Sequence, residues 1–342
     1  MAHFCFADLP IELVHIVVIY AAQPTFDQDE RYDRISPYSS ALNLCLVSKI
    51  FRRAALPELL HTILLPKSRN VTAFVQALLI QEAYKKANSA FQCNYASRVR
   101  KMWIGPPDDN FTPASERSHA ISLLTPVMFA APSLALSWKS VDLLIECLEH
   151  AWKSRPATPV NEEHSRPPWK TQTLSLTVGN PIHRTKWNSL TDTPQGSAFL
   201  ASICRLSSIT YVYRDYTSPQ PLISSQDYRL PDWMKTAPLA SFKSLQIVTL
   251  PYPRTQAPVS VSGLSNRGVD MHMELLAFPA TVLKAQNGIP NTIDAFTGTE
   301  TISSPGEEAI RSDGTHLRLS LSKLRWYSGL GYGWEKIWVC ML

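Results

Sequence analysis

A chain of 342 residues with 45% hydrophobic content has room for roughly two domains of ordinary size and enough apolar mass for a real core, which excludes disorder throughout. Lys+Arg 33 against Asp+Glu 28 leaves a net charge of +5, and that surplus is too thin and too dispersed for a nucleic-acid binder, whose affinity comes from clustered phosphate neutralisation. The 12 glycines argue against cofactor folds that need several close backbone approaches, while 26 prolines argue for a body cut into many short elements.

The longest apolar run, Leu13 to Ala22, falls well short of the roughly 20 residues a membrane helix needs, and it contains His15. The N-terminal stretch has Asp8 and Glu12 but no Lys or Arg before Arg31, which does not fit a signal peptide. The expectation is a cytoplasmic or nuclear protein that does not span a membrane. Six cysteines, Cys5, Cys45, Cys93, Cys147, Cys204 and Cys340, are scattered without a C-x-x-C pair and read as reduced, mostly packed thiols.

Asp8-Leu9-Pro10-Ile11-Glu12-Leu13 reads as a helix start, with Asp as cap, Pro in the first turn and Glu at the positive end of the dipole. Leu13, Ile16, Val17 and Tyr20 then follow at helical spacing, with Val14, Val18 and Ile19 widening the apolar face, so this helix needs partners on more than one side. After the polar stretch Gln23 to Ser40, a second helical pattern begins near Ser40. Its stripes are Leu42, Leu46, Ile50, Ala54 and Leu44, Val47, Phe51, and Pro57 starts a third short turn before Ile63-Leu64-Leu65.

Leu9-Pro10-x-Glu12-Leu13, Ile16-Val17, Leu42-x-Leu44-x-Leu46-Val47-Ser48-Lys49-x-Phe51-Arg52 and Leu56-Pro57-x-Leu59 together resemble an F-box over about residues 6 to 65. The connector between the first two helices is longer and more acidic than is usual in that family, and Phe51 stands where Trp is more common. The resemblance implies a three-helix module, residues 1 to 65, that docks on the Skp-type adaptor of a cullin–RING ubiquitin ligase. Carried over, the adaptor-facing residues are Leu9, Pro10, Glu12, Leu13, Ile16, Leu44, Val47 and Phe51.

In the body, Val71 to Tyr84 reads as an amphipathic helix. Strand-like cores then recur at Met102-Trp103-Ile104, Leu134-Ala135-Leu136, Leu174-Ser175-Leu176, Ile209-Thr210-Tyr211 and Leu245-Gln246-Ile247, with first residues 32, 40, 35 and 36 apart; Leu317-Arg318-Leu319 lies 72 further on. Helical patterns sit between them, around Ile121, Leu124 and Met128, from Val141 to Trp152, and around Phe199, Leu200 and Ile203. A strand and a helix repeated at near-constant length cannot bury their faces alone and stack on their neighbours. The fold class is therefore α/β, and the body, residues 66 to 325, resembles a degenerate leucine-rich-repeat solenoid with a longer period than usual; an ordinary α/β sandwich with irregular spacing is the rival. Long polar connections are expected at Lys153 to Lys170, Thr217 to Pro231, Pro251 to Ser262 and Gln286 to Thr315. Residues 326 to 342 form an oddly aromatic tail.

Catalytic signatures of zinc proteases, serine hydrolases and P-loop enzymes are absent from the sequence. His272-x-Glu274 lacks the paired cysteines of a deaminase, and Gly329-Leu330-Gly331-Tyr332-Gly333 leaves too little chain after it for a dinucleotide site. Arg98, Arg100 and Lys101 alternate with Val99 and Met102 as one polar and one buried strand face. The expectation is a non-enzyme with no catalytic or metal-binding residue and no cofactor: a substrate receptor that holds an unidentified target protein on its repeat body, bound neither to nucleic acid nor to membrane. The rivals are a repeat scaffold without a ligase, its helical hairpin serving as an end cap, and an enzyme with an unrecognised site.

Overall fold

The computed structural model describes residues 9–24, 36–106, 114–154, 167–177, 184–209, 237–254, 269–281 and 317–326, together with Trp338. The chain is mixed α/β. Three helices come first: α1 (Ile11–Ala22), α2 (Ser39–Val47) and α3 (Lys49–His61). The second and third are one pattern in the sequence but break at Ser48, whose extended backbone lets its hydroxyl accept from the Phe51 N–H as a helix cap. Pro57, expected to open a new turn, lies inside α3.

The module ends at His61, because Thr62–Leu65 is not its tail but β1 of the sheet. There follow α4 (Ser68–Lys86), α5 (Tyr95–Arg98), β2 (Lys101–Ile104), α6 (Ala114–Ala130), β3 (Ser133–Ser137), α7 (Val141–Lys153), β4 (Thr173–Thr177), α8 (Arg184–Thr191), α9 (Pro194–Ser202) and β5 (Arg205–Ile209). The last strands are β6 (Ile247–Arg254), β7 (Val269–Pro279) and β8 (Leu317–Trp326). Helix α4 stops where Asn88 adopts φ 47°, and Ser89 N–H reaches back to the Tyr84 carbonyl; asparagine tolerates that left-handed turn better than most residues.

The eight strands among the described residues form one sheet in chain order, β1 to β6 parallel and β7 and β8 antiparallel. Register aligns Ile63, Met102, Leu134, Leu174, Leu206 and Val248 in one row, and these side chains share a core with the apolar stripes of α4, α6, α7 and α9. An aromatic cluster ties its middle: Trp169 stacks on Trp152 and meets Phe129 and Phe199, while its Nε1 donates to Ser202 Oγ at 2.9 Å. Trp169 belongs to the stretch expected as an exposed polar connection, and it is buried.

Three other expectations shift. The fifth strand is described over Arg205–Ile209; of the expected Ile209-Thr210-Tyr211, Ile209 is its last described residue and the other two lie outside the described residues. The sixth starts at Ile247, and Pro251 to Arg254, expected as loop, continue it. Pro251 fits because, among the described residues, β5 pairs with Ile247 to Thr249, so an absent N–H at Pro251 costs no ladder bond on that side. Leu317-Arg318-Leu319 opens β8, an antiparallel partner of β7 and not a further parallel strand. The expected loops Thr217 to Pro231 and Gln286 to Thr315 lie outside the described residues.

One side chain closes the free edge of the sheet. The Tyr38 hydroxyl donates to the Thr62 carbonyl at 2.7 Å and accepts from the Leu64 N–H at 3.1 Å, satisfying two edge groups of β1 at once. Burial raises its phenol pKa well above the ordinary range, against a smaller opposite pull from the Leu64 hydrogen bond. Replacing Tyr38 with Phe leaves both backbone groups unpaired and is expected to cost about 1–3 kcal/mol in urea unfolding.

Cys45, Cys93, Cys147 and Cys204 are free thiols. Burial pushes the Cys147 thiol up to about 12, outweighing a hydrogen bond from Thr125 that lowers it. Cys147 is therefore expected to stay unalkylated by iodoacetamide at about pH 8 in the native chain and to react only on unfolding, as read by peptide mass mapping.

Candidate docking surface

Helix α1 is apolar nearly all round, so one stripe must be consumed inside the module and another left over. Val18 and Ala22 are buried with Ala41 of α2 and Ala55 of α3, and Val14 packs beside them. The three alanines let the helix axes approach closely. The opposite stripe is in solvent: Leu13, Ile16 and Val17 are 47, 48 and 45% exposed and Tyr20 is 70% exposed. These four sit at i, i+3, i+4 and i+7, one face of a helix. Leu42, Leu46 and Val47 of α2 and Ile50 of α3 are also exposed, Leu46 at 85%.

Entry into α1 differs from the sequence expectation. Pro10 is itself the N-cap, its carbonyl accepting from the Leu13 and Val14 N–H groups at 3.0 and 3.1 Å, and no side chain among the described residues caps the helix. Asp8, the expected cap, lies outside the described residues. Glu12 is exposed in the first turn, where its charge suits the helix dipole.

The eight sequence-derived residues thus divide. Pro10, Glu12, Leu13, Ile16 and Val47 are exposed, whereas Leu9, Leu44 and Phe51 are half-buried. Leu44 and Phe51 pack on the module's small core, so part of their surface is already used. Ile11, Val17, Tyr20, Leu42, Leu46 and Ile50 are exposed apolar side chains outside those eight, Val17, Leu42 and Leu46 among them being part of the motif itself. Helical spacing from Leu13 and Ile16 reaches Val17 and Tyr20 directly; the α2 residues needed the break at Ser48 to set their phase.

The module is anchored to the body on its other side. Leu56 and Leu59 of α3 pack against the main core, and the charged ends of Lys49 and Arg52 each lie 5.5 Å from the centre of the Phe91 ring. Together with Tyr38 on β1, these contacts hold α3 while the outer stripe of α1 stays uncovered. Among the described residues, no group of three or more His, Cys, Asp or Glu side chains is arranged to hold a metal ion, and no helix is long and apolar enough to cross a membrane. No family model matches the chain, and neither a curated protein nor a solved structure is significantly similar to it.

Proposed function

We propose that the chain is the substrate-recognition subunit of a Skp–cullin–F-box ubiquitin ligase acting in the cytoplasm or nucleus. The observation that carries this reading is the apolar stripe Leu13, Ile16, Val17 and Tyr20, exposed on a helix whose other stripe is fully spent in the module. A face of that kind stays in water only at a cost, and a partner that covers it recovers roughly 1.5–3 kcal/mol for each large side chain buried. The partner is the Skp-type adaptor, and through it the cullin–RING assembly.

The body is read as a leucine-rich-repeat-like solenoid that presents a target protein. Six parallel strands that neighbour one another in chain order, with one aligned apolar row, support that reading. In this role the chain performs no bond chemistry and needs no cofactor; it raises the effective concentration of a target near a ubiquitin-conjugating enzyme held elsewhere in the complex. Neither nucleic acid nor membrane is a partner in this reading.

Co-expression of the full chain with a Skp-type adaptor tests it. A stoichiometric complex that survives size-exclusion chromatography is the expected result. Separate elution of two soluble, folded proteins overturns the adaptor assignment and leaves the scaffold reading, in which the exposed stripe serves another partner.

A further inference from the structure

The cationic surplus, which composition spreads thinly over the chain, is local. Residues 49 to 101 hold 10 Lys and Arg against 2 Asp and Glu, a net +8 where the whole chain carries +5, so the remainder stands at −3. This segment is α3, β1, α4, α5 and the first residue of β2, and its later part runs beside α3. The Lys49 and Arg52 charges of the first turn of α3 meet the Phe91 ring, and the Arg100 N–H donates to the carbonyl of His61, the last residue of that helix, at 3.0 Å. At about 1.5 Å per residue, α3 separates these two ends by roughly 18 Å.

Five cations mark this strip: Lys49 and Arg52 of α3, Arg98 at the end of α5, and Arg100 and Lys101 at the entry to β2. The expected alternation of one polar and one buried strand face over Arg98 to Met102 fails, because Arg98 closes α5, β2 starts only at Lys101, and Met102 and Trp103 are both buried. Arg98 and Arg100 stay in solvent. Burial raises the Cys93 thiol while the Arg98 and Arg52 charges pull it back. At the other end burial, then Lys101, holds the His61 imidazole below its ordinary range, with Glu58 opposing and Arg100 adding to the effect. Two cations thus act on one sulfur and two on one imidazole. Among the described residues none of the five has a carboxylate partner, whereas Arg117, Lys153 and Lys186 of the body pair with Glu146, Glu149 and Asp142. Like charges gathered without counter-charge repel, and a partner that brings carboxylates relieves them.

Base stacking needs an open aromatic face, and the exposed ring here, Phe91, is already engaged by Tyr84, at 6.0 Å between ring centres, and by the two cations. A long polyanion also meets the net-negative remainder of the chain, whereas a short acidic segment stays within the roughly 8 Å reach of the strip's own charges at physiological salt. We propose that this strip binds an extended acidic segment, about six residues long, of a partner polypeptide, its carboxylates set against the guanidiniums of Arg52, Arg98 and Arg100. The strip uses no residue of α1 or α2, so its failure and the failure of adaptor docking are read separately.

The test uses the full chain and fluorescein-labelled deca-glutamate as the probe, with binding read by fluorescence anisotropy at about 150 mM salt, where unlocalised attraction is screened. The wild-type chain is expected to bind the probe, and the chain with Arg98→Glu and Arg100→Glu at least about tenfold more weakly, because two charge-assisted contacts are lost. Arg98→Gln with Arg100→Gln, which adds no repulsion, is expected to weaken binding in the same direction. Lys170→Glu with Lys243→Glu makes the first change in net charge at exposed sites elsewhere and is expected to leave binding within about twofold. Labelled deca-thymidylate is expected to bind the wild-type chain more weakly than deca-glutamate does. No binding of deca-glutamate, undiminished binding by both arginine variants, or the same loss from the lysine pair overturns the proposal. Tighter binding of the oligonucleotide overturns it in favour of a nucleic-acid surface.

Discussion

Replacing Leu13 and Ile16 together with aspartate is expected to abolish capture of the Skp-type adaptor while leaving the chain folded. Both side chains are about half exposed, and substitutions at such positions usually change stability by within about 0.5 kcal/mol. In a complex that covers them, the pair forfeits roughly 3–6 kcal/mol of apolar burial and adds two charges to a dry interface, so affinity falls on the order of a thousandfold or more. Calorimetric titration with the adaptor measures the loss, and a circular dichroism melt checks that the fold survives. The contrasting variant is Val18→Asp on the inner stripe. Val18 is 3% exposed against Ala22, Ala41 and Ala55, so a carboxylate there has no water and no counter-charge and disrupts the module itself. A double variant that binds like the wild type removes the outer stripe from the docking surface.

The contrast between those variants marks how far the sequence reaches. Helical spacing alone says that α1 is apolar on two sides, but it does not say which side is spent. Val14, Val18 and Ala22 face inward because small partners on α2 and α3 come close to them, and alanines at positions 41 and 55 carry almost no signal in an isolated pattern. Phe51 is the converse case: it looks like a docking wedge in the motif and is half consumed by that same core.

In the body, legibility follows pairing. Strands β2, β3 and β4 lie where an apolar–x–apolar pattern coincides with the aligned core row, so local pattern and register agree. At β5 they conflict. The β-prone signal begins at Ile209, yet the strand already starts at Arg205, because Leu206 aligns with Leu174 and its burial outweighs the two serines that follow it. A parallel strand–helix pattern sets no expectation of β7, the antiparallel return after β6. The burial of Trp103, on the face of β2 opposite Met102, is equally hidden: its ring meets that of Trp338, more than 200 residues away in the chain.

The scarce glycines prove informative at one point where no motif marks them. A Gly105→Ala substitution is expected to destabilise the body by several kcal/mol, roughly 3 or more, and to lower the melting temperature accordingly. A Cβ at that position would lie 2.1 Å from the Pro66 carbonyl oxygen, 2.6 Å from its carbon and 2.9 Å from its Cα. These are backbone atoms, so no rotamer change relieves the overlap. Nor is the glycine free to retreat: its N–H donates to the Leu65 carbonyl at 2.9 Å, and its own carbonyl accepts from the buried Ser140 hydroxyl just before α7. Relief requires parting the ends of β1 and β2 or breaking one of those bonds, and either opens the core where Leu65 and Ile104 pack. Urea unfolding of the two chains compares them directly. A variant with an unchanged midpoint and slope means that the strand ends part at little cost, and that the close approach at Gly105 is not what holds the first crossover in place.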